Sequence, residues 1–194
     1  MTYPVCDDKI YLESSSLKES SSDYFVISWD PDEFDWQANS AALVQTYSRY
    51  FDIWWDPERF NWRDASVELA ENCTDHFDKW WDPDRFNWEW GSLALAKHCT
   101  RYFDKWWDPN RFNWELGSPT LARYCNCYFD RWWDPDKFNW ILASSSLAQY
   151  CSKYFDIWWD VSKFNLDDVE YLEEFCQEYK HVWQEDIKLY RLLA

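Results

Sequence analysis

"YFDKWWDPNRFNW", residues 102–114, sets six aromatic rings around a central Asp108-Pro109. The segment returns along the chain with few changes. The second Trp of its pair, or the equivalent residue, falls at Trp29, Trp55, Trp81, Trp107, Trp133 and Trp159, always 26 residues apart and with no insertion. A fixed period of this length marks a stacked repeat array, in which each unit buries its apolar face on its neighbours.

Aligning the copies gives columns, and three of them hold residue types that accept hydrogen bonds from the free N–H groups of a helix's first turn. They are Ser14, Ser40, Ser66, Ser92, Ser118 and Ser144; Ser22, Ser48, Thr74, Thr100, Asn126 and Ser152; and Asp30, Asp56, Asp82, Asp108, Asp134 and Asp160. Pro follows the Asp in five copies and follows Ser118 once, and the first helical position tolerates proline. The residue before Pro is pushed out of the α region, so the Asp is expected to end one helix and cap the next. Each repeat then reads as three short helices, "LALAKHC" after Ser92, "RYFDKWW" after Thr100 and "PNRFNW" after Asp108. A rival reading fuses the first two. Either way the fold class is all-α, an α-solenoid of about six tandem repeats with two or three short helices each. Such short helices do not persist alone, so the Trp, Phe and Leu columns must hold them by packing.

Both ends depart from the pattern. Residues 1–28 read as a degenerate N-terminal repeat or cap, and residues 29–166 as the Trp-rich helical repeats of one continuous solenoid. Residues 167–194 read as one long amphipathic capping helix, with Leu172, Phe175, Tyr179, Val182, Trp183, Leu189 and Leu193 on one side. The alternating spacing through Leu172, Phe175, Tyr179, Val182, Asp186, Leu189 and Leu193 also permits a homodimer seam across residues 172–193.

Composition narrows the function. The chain has 194 residues, only two Gly and a net charge of −17. Direct nucleic-acid binding needs clustered Lys and Arg, which are missing. Residues 81–132 balance seven acids against seven bases, and the acidity lies to either side. Nothing approaches the ~20 apolar residues of a membrane helix, and Asp7 and Asp8 spoil a signal peptide. The expectation is a soluble protein of a reducing, cytoplasmic compartment.

No catalytic constellation appears: there is no GxSxG, no Gly-rich phosphate loop and no HExxH. Cys73, Cys99, Cys125 and Cys151 occupy one column. Packed helices ~8–10 Å apart hold Cα atoms beyond the ~7 Å limit of a disulfide, so these read as buried thiols. Cys125 and Cys127 form a lone CxC, and His76, His98 and His181 are scattered. No metal and no cofactor are expected. Asn61, Asn87, Asn113, Asn139 and Asn165, with Asp35 in the first copy, read as a ladder of amides satisfied by backbone or by one another.

Recognition in solenoids falls on columns that packing leaves free. One runs Ala38, Asp64, Trp90, Leu116, Leu142, Asp168; its neighbour runs Gln37, Arg63, Glu89, Glu115, Ile141, Asp167. Both are expected in an inter-helix connection. Trp90, Leu116 and Leu142, flanked by Glu89 and Glu115, are therefore the candidate protein-binding residues, either exposed as an apolar strip or tucked under the next helix. The architecture resembles α-solenoids as a class, such as HEAT-like or tetratricopeptide arrays, with a shorter unit. That resemblance implies a non-enzymatic protein that binds, and could inhibit, a protein partner. One alternative is an acidic mimic that blocks a nucleic-acid-binding enzyme, as small viral counter-defence proteins do, through Asp32, Glu33, Asp35, Glu58 and Asp64. Another is self-assembly through the C-terminal helix.

Overall fold

The computed structural model describes residues 28–193. These residues form repeated helical units of 26 residues and no strand, in keeping with an α-solenoid. The degenerate repeat expected over residues 1–28 lies, save its last residue, outside the described residues. The chain divides into two compact units, Met1–Asn87 and Trp88–Ala194. The first holds α1 (Trp36–Tyr47), α2 (Phe51–Trp54), α3 (Trp62–Asn72) and α4 (Phe77–Trp80). The second holds α5 (Trp88–His98), α6 (Phe103–Trp106), α7 (Trp114–Tyr124), α8 (Phe129–Trp132), α9 (Trp140–Tyr150), α10 (Phe155–Trp158), α11 (Val169–Phe175) and α12 (Lys180–Leu193). A three-residue 3-10 turn joins each long helix to the short one behind it. Long helix packs on long helix, α1 on α3 in the first unit and α5 on α7 on α9 on α11 in the second.

The cap columns play other parts than the sequence suggests. The long helices begin four residues before the Ser column, and the residue that caps them is the Asn of "FNW". Asn61 Oδ1 accepts from Asp64 N–H at 3.2 Å, and Asn113 and Asn139 do the same for Leu116 and Leu142, both at 3.2 Å. The Ser residues instead lie inside the helices, fully buried at Ser92, Ser118 and Ser144. Each Oγ donates to the carbonyl four residues back and accepts the Asn N–H of the next repeat: Asn61 on Ser40, Asn87 on Ser66, Asn113 on Ser92 and Asn139 on Ser118, at 3.0–3.1 Å. The Asn amide adds a second link, Nδ2 donating to the carbonyl of the preceding helix's second residue: Arg63, Glu89 and Glu115 at 2.6, 2.8 and 2.8 Å. The expected amide ladder is thus bonded to backbone throughout.

The Thr74 and Thr100 column opens the 3-10 turns without a side-chain cap. The Asp column caps a turn rather than a helix. Asp108 Oδ1 accepts from Asn110 N–H at 2.9 Å, and Phe112 N–H closes onto Asp108 O at 3.0 Å, so "PNRF" is a single turn that leads into the Asn113 cap. The Pro carbonyl inside that turn takes two donors. One is the Trp of the same "FNW", as in Trp62 Nε1 to Pro57 O at 2.9 Å; the other is the cation of the next repeat, as in Arg85 to Pro57 O at 2.7 Å.

Pro119 sits within α7 rather than at its start. Its ring removes the N–H that would have bonded Glu115 O four residues back. That carbonyl is the one Asn139 Nδ2 reaches, so the helix tolerates the proline at a joint where an outside donor replaces the missing one.

The rings fill the space between. Trp54, Trp80, Trp106, Trp132 and Trp158, the first Trp of each pair, are 1 % exposed and donate Nε1 to the carbonyl seven residues back, Cys125 O for Trp132 at 2.8 Å. Each buries about 150–250 Å², an upper bound of about 4–6 kcal/mol. Phe103 lies between its own Trp107 and Tyr128 of the next repeat, with centroids 5.2 and 4.4 Å away, both stacked. Phe129 and Phe155 repeat the arrangement with Tyr154 and Tyr179.

The C-terminal region is not one helix. Only α12, at 14 residues the longest described, matches the long helix expected, and residues 166–179 form a 3-10 turn, α11 and another 3-10 turn. This is the repeat pattern with one residue deleted: Cys176 falls 25 residues after Cys151, and Trp183 donates to Cys176 O as Trp158 does to Cys151 O. Docking consumes much of the proposed homodimer seam. Leu172 is buried, Tyr179 stacks on Phe155, and Asp186 accepts from Trp159 Nε1 at 2.8 Å. Leu189 and Leu193 stay exposed, away from the buried Trp183 and Ile187.

Candidate functional site

Capping by Asn fixes the phase of each long helix, and the phase decides which residues face outward. Trp90, Leu116 and Leu142 are the third residues of α5, α7 and α9, in the first helical turn and not in a connection. They are 59, 41 and 53 % exposed, so they do not tuck beneath a neighbouring helix. The Asn113 and Asn139 amides, bonded to Glu89 O and Glu115 O, bring the first turns of successive helices alongside one another. The three side chains therefore form an apolar row on the second unit.

Ile141 belongs to this surface, although the sequence reading placed it in the variable column without counting it among the candidate binding residues. At 78 % it is more exposed than the other three. The available signal was an isoleucine at the second helical position, where the other long helices carry Gln37, Arg63, Glu89 and Glu115. Glu89 and Glu115 are exposed in the first turns of α5 and α7, where a carboxylate offsets the positive end of the helix dipole. They do this whether or not a partner is present. Asp168 closes the row. It lies in the 3-10 turn Leu166–Asp168, and its Oδ2 accepts the Ser145 N–H at 3.1 Å. Burial pushes its carboxyl pKa up, a shift that the Ser145 N–H partly opposes.

The acidic candidates all lie on the first unit and are exposed. Asp32 pairs with Arg59 at 2.6 Å and Glu58 with Arg85 at 2.6 Å. Asp35 caps α1 through Ala38 N–H, and Asp64 accepts from Asn61 Nδ2 at 3.0 Å. Asp32, Asp35, Glu58 and Asp64 thus already serve the repeat joints or helix ends. Surface pairs of this kind contribute little to stability, about 0–1 kcal/mol, but each partner cation offsets the negative charge a mimic would present.

The cysteine column is buried, and burial pushes Cys73, Cys99, Cys125, Cys151 and Cys176 up to about 12. Cys125 Sγ lies 3.4 Å from Ala96 O, in position to donate to it. Cys127 faces solvent, so the CxC pair splits between inside and outside. No three His, Cys, Asp or Glu side chains among the described residues form a group able to hold a metal ion. No described helix is long and apolar enough to cross a membrane.

No family model, curated protein or solved structure matches this chain.

Proposed function

We propose that this chain is a non-enzymatic helical-repeat protein whose second unit docks a protein partner on Trp90, Leu116, Ile141 and Leu142, occluding the partner surface that it covers. One observation carries the reading. At the third residue of the long helices the described repeats place Ala38, Asp64, Trp90, Leu116 and Leu142, so large apolar side chains stand in the open at consecutive positions of one unit only. A large exposed patch rimmed by acids is the usual mark of a protein interface. Free buried thiols in the core suit a reducing compartment.

The test is recovery of the partner by the wild-type chain and by a variant with Trp90→Ser, Leu116→Ser and Leu142→Ser. The variant is expected to fold and to lose the partner. Undiminished recovery would refute the strip as the docking site.

A second reading, self-association, has its own observation. The end of α12 exposes Leu189, Tyr190, Leu192 and Leu193, and Val169, Trp183, Ile187 and Leu192 line a shallow apolar groove beside it. A second copy could cover this end. Light scattering across a hundredfold range of concentration separates the two readings: a constant monomer mass removes the second.

A further inference from the structure

We propose that the occupant of the strip is a basic segment in polyproline II conformation, lying across the long helices of the second unit. The inference rests on the docking reading above and adds the conformation and charge of what docks.

The spacing comes first. The apolar positions are the third residues of α5, α7 and α9, helices packed one on the next. Packed helix axes lie about 8–10 Å apart, so the strip offers one large apolar side chain about every 9 Å. A polyproline II segment rises ~3.1 Å per residue with three residues per turn, which returns every third side chain to the same face after about 9.3 Å. An α-helix laid along the same line presents apolar residues on every turn of ~5.4 Å. Its alternate anchors would then lie over the gaps between rows. The strip is also narrow. One turn further along the helices, Leu93, Pro119 and Ser145 are half-buried, and two turns along the same face stand the polar Lys97, Arg123 and Gln149, so the apolar row is one residue wide and its acidic side is the helix starts. One anchor per row suits an extended ligand.

Charge comes second. Glu89 and Glu115 stand one residue before Trp90 and Leu116, Asp167 stands one before Asp168, and none of the three forms a salt bridge among the described residues. An acidic margin therefore runs beside the apolar row, broken only at Ile141. It complements Arg or Lys at one fixed position of each ligand triplet. Trp90 supplies an aromatic face of the type on which proline rings dock, and a segment already extended loses less entropy on binding. The geometry points to a ligand with an apolar residue every third position, proline between, and a cation on one flank.

Three labelled synthetic peptides of matched length test this by anisotropy against the full chain: four Arg-Pro-Leu triplets, four Glu-Pro-Leu triplets, and a cationic Leu/Arg peptide with helical spacing. The expected result is that the first binds at least tenfold more tightly than the others. Its binding should also fall at least tenfold with the triple Ser variant and with Glu89→Gln plus Glu115→Gln. Tighter binding of the helical peptide, lost with the triple Ser variant, overturns the extended occupant and leaves the docking site standing. Binding of the first peptide that ignores the triple Ser variant overturns the inference, and so does no binding of it at millimolar concentration. Undiminished recovery of a natural partner by that variant removes the docking reading itself.

Discussion

Replacing Ser144 by Ala removes one oxygen from the joint between two repeats, and Ser145, the next residue of α9, provides the control. Ser144 is fully buried; its Oγ donates to Trp140 O at 2.6 Å and accepts from Asn165 N–H at 2.9 Å. Ser145 is only half-buried, and its hydroxyl takes no part in a joint. Both substitutions gain the helix preference of Ala, at most about 0.7 kcal/mol. Only Ser144→Ala leaves a backbone donor without its acceptor, which costs about 1–3 kcal/mol. The two variants should therefore differ by about 1–3 kcal/mol, with Ser144→Ala the less stable and Ser145→Ala within about 0.5 kcal/mol of wild type. Urea unfolding followed by tryptophan emission reads this directly, provided that the two variants share one slope. Equal midpoints would show that the hydroxyl does not carry the joint, and that the Asn165 N–H finds water instead.

Four other outcomes follow from the same structure. The strip variant Trp90→Ser, Leu116→Ser and Leu142→Ser should unfold within a few degrees of wild type, because these side chains are exposed; a loss of more than about 3 kcal/mol would place them in the core. Asp186→Ala removes a charged acceptor from Trp159 Nε1, so amide exchange in α12 should quicken by roughly ten- to a hundredfold, at a cost of about 1.5–3 kcal/mol. A thiol reagent at neutral pH should label Cys127 quickly and Cys73, Cys99, Cys125, Cys151 and Cys176 only on unfolding. Those five thiols have folded pKa values above their unfolded ones, so the folded chain holds more protons over that interval. Their stabilising effect is complete below the unfolded thiol range and is lost as pH rises toward about 12. A Cys125→Ala, Cys151→Ala variant should show a shallower fall in urea midpoint between about pH 8 and about pH 10.5.

The period, the all-helical class and the packing role of the aromatics were legible because each recurs in every copy. The division of labour among polar residues was not. Ser, Asp and Asn can all accept an N–H at a helix start, and residue type alone does not say which one does. Asn113 and Asn139 carried a usable signal, since each precedes a Trp and a first turn bearing Glu115 or the open Ile141–Leu142 pair, and an 11-residue helix follows. Ser118 looked like a cap because Pro119 comes next, and only the Asn139 amide on Glu115 O explains how a proline survives mid-helix. The strip residues were singled out correctly as variable. Their exposure depended on helix phase, which shifted by several residues once the cap moved from Ser to Asn.

The Ser–Asn joint has a further consequence. Hydroxyl, amide and carbonyl meet in the same way wherever the joint is described, and the carbonyl, although it belongs to Glu89 or its equivalents, is a backbone group, so the joint uses no side chain of the outward columns. Cohesion and recognition are therefore written in separate alphabets along one chain. A unit cut at the 26-residue period within Trp88–Ala194 carries a complete half-joint at each end, so it can be duplicated or exchanged as a cassette. The outward letters can then drift toward a new ligand while the grammar that stacks the repeats stays unchanged.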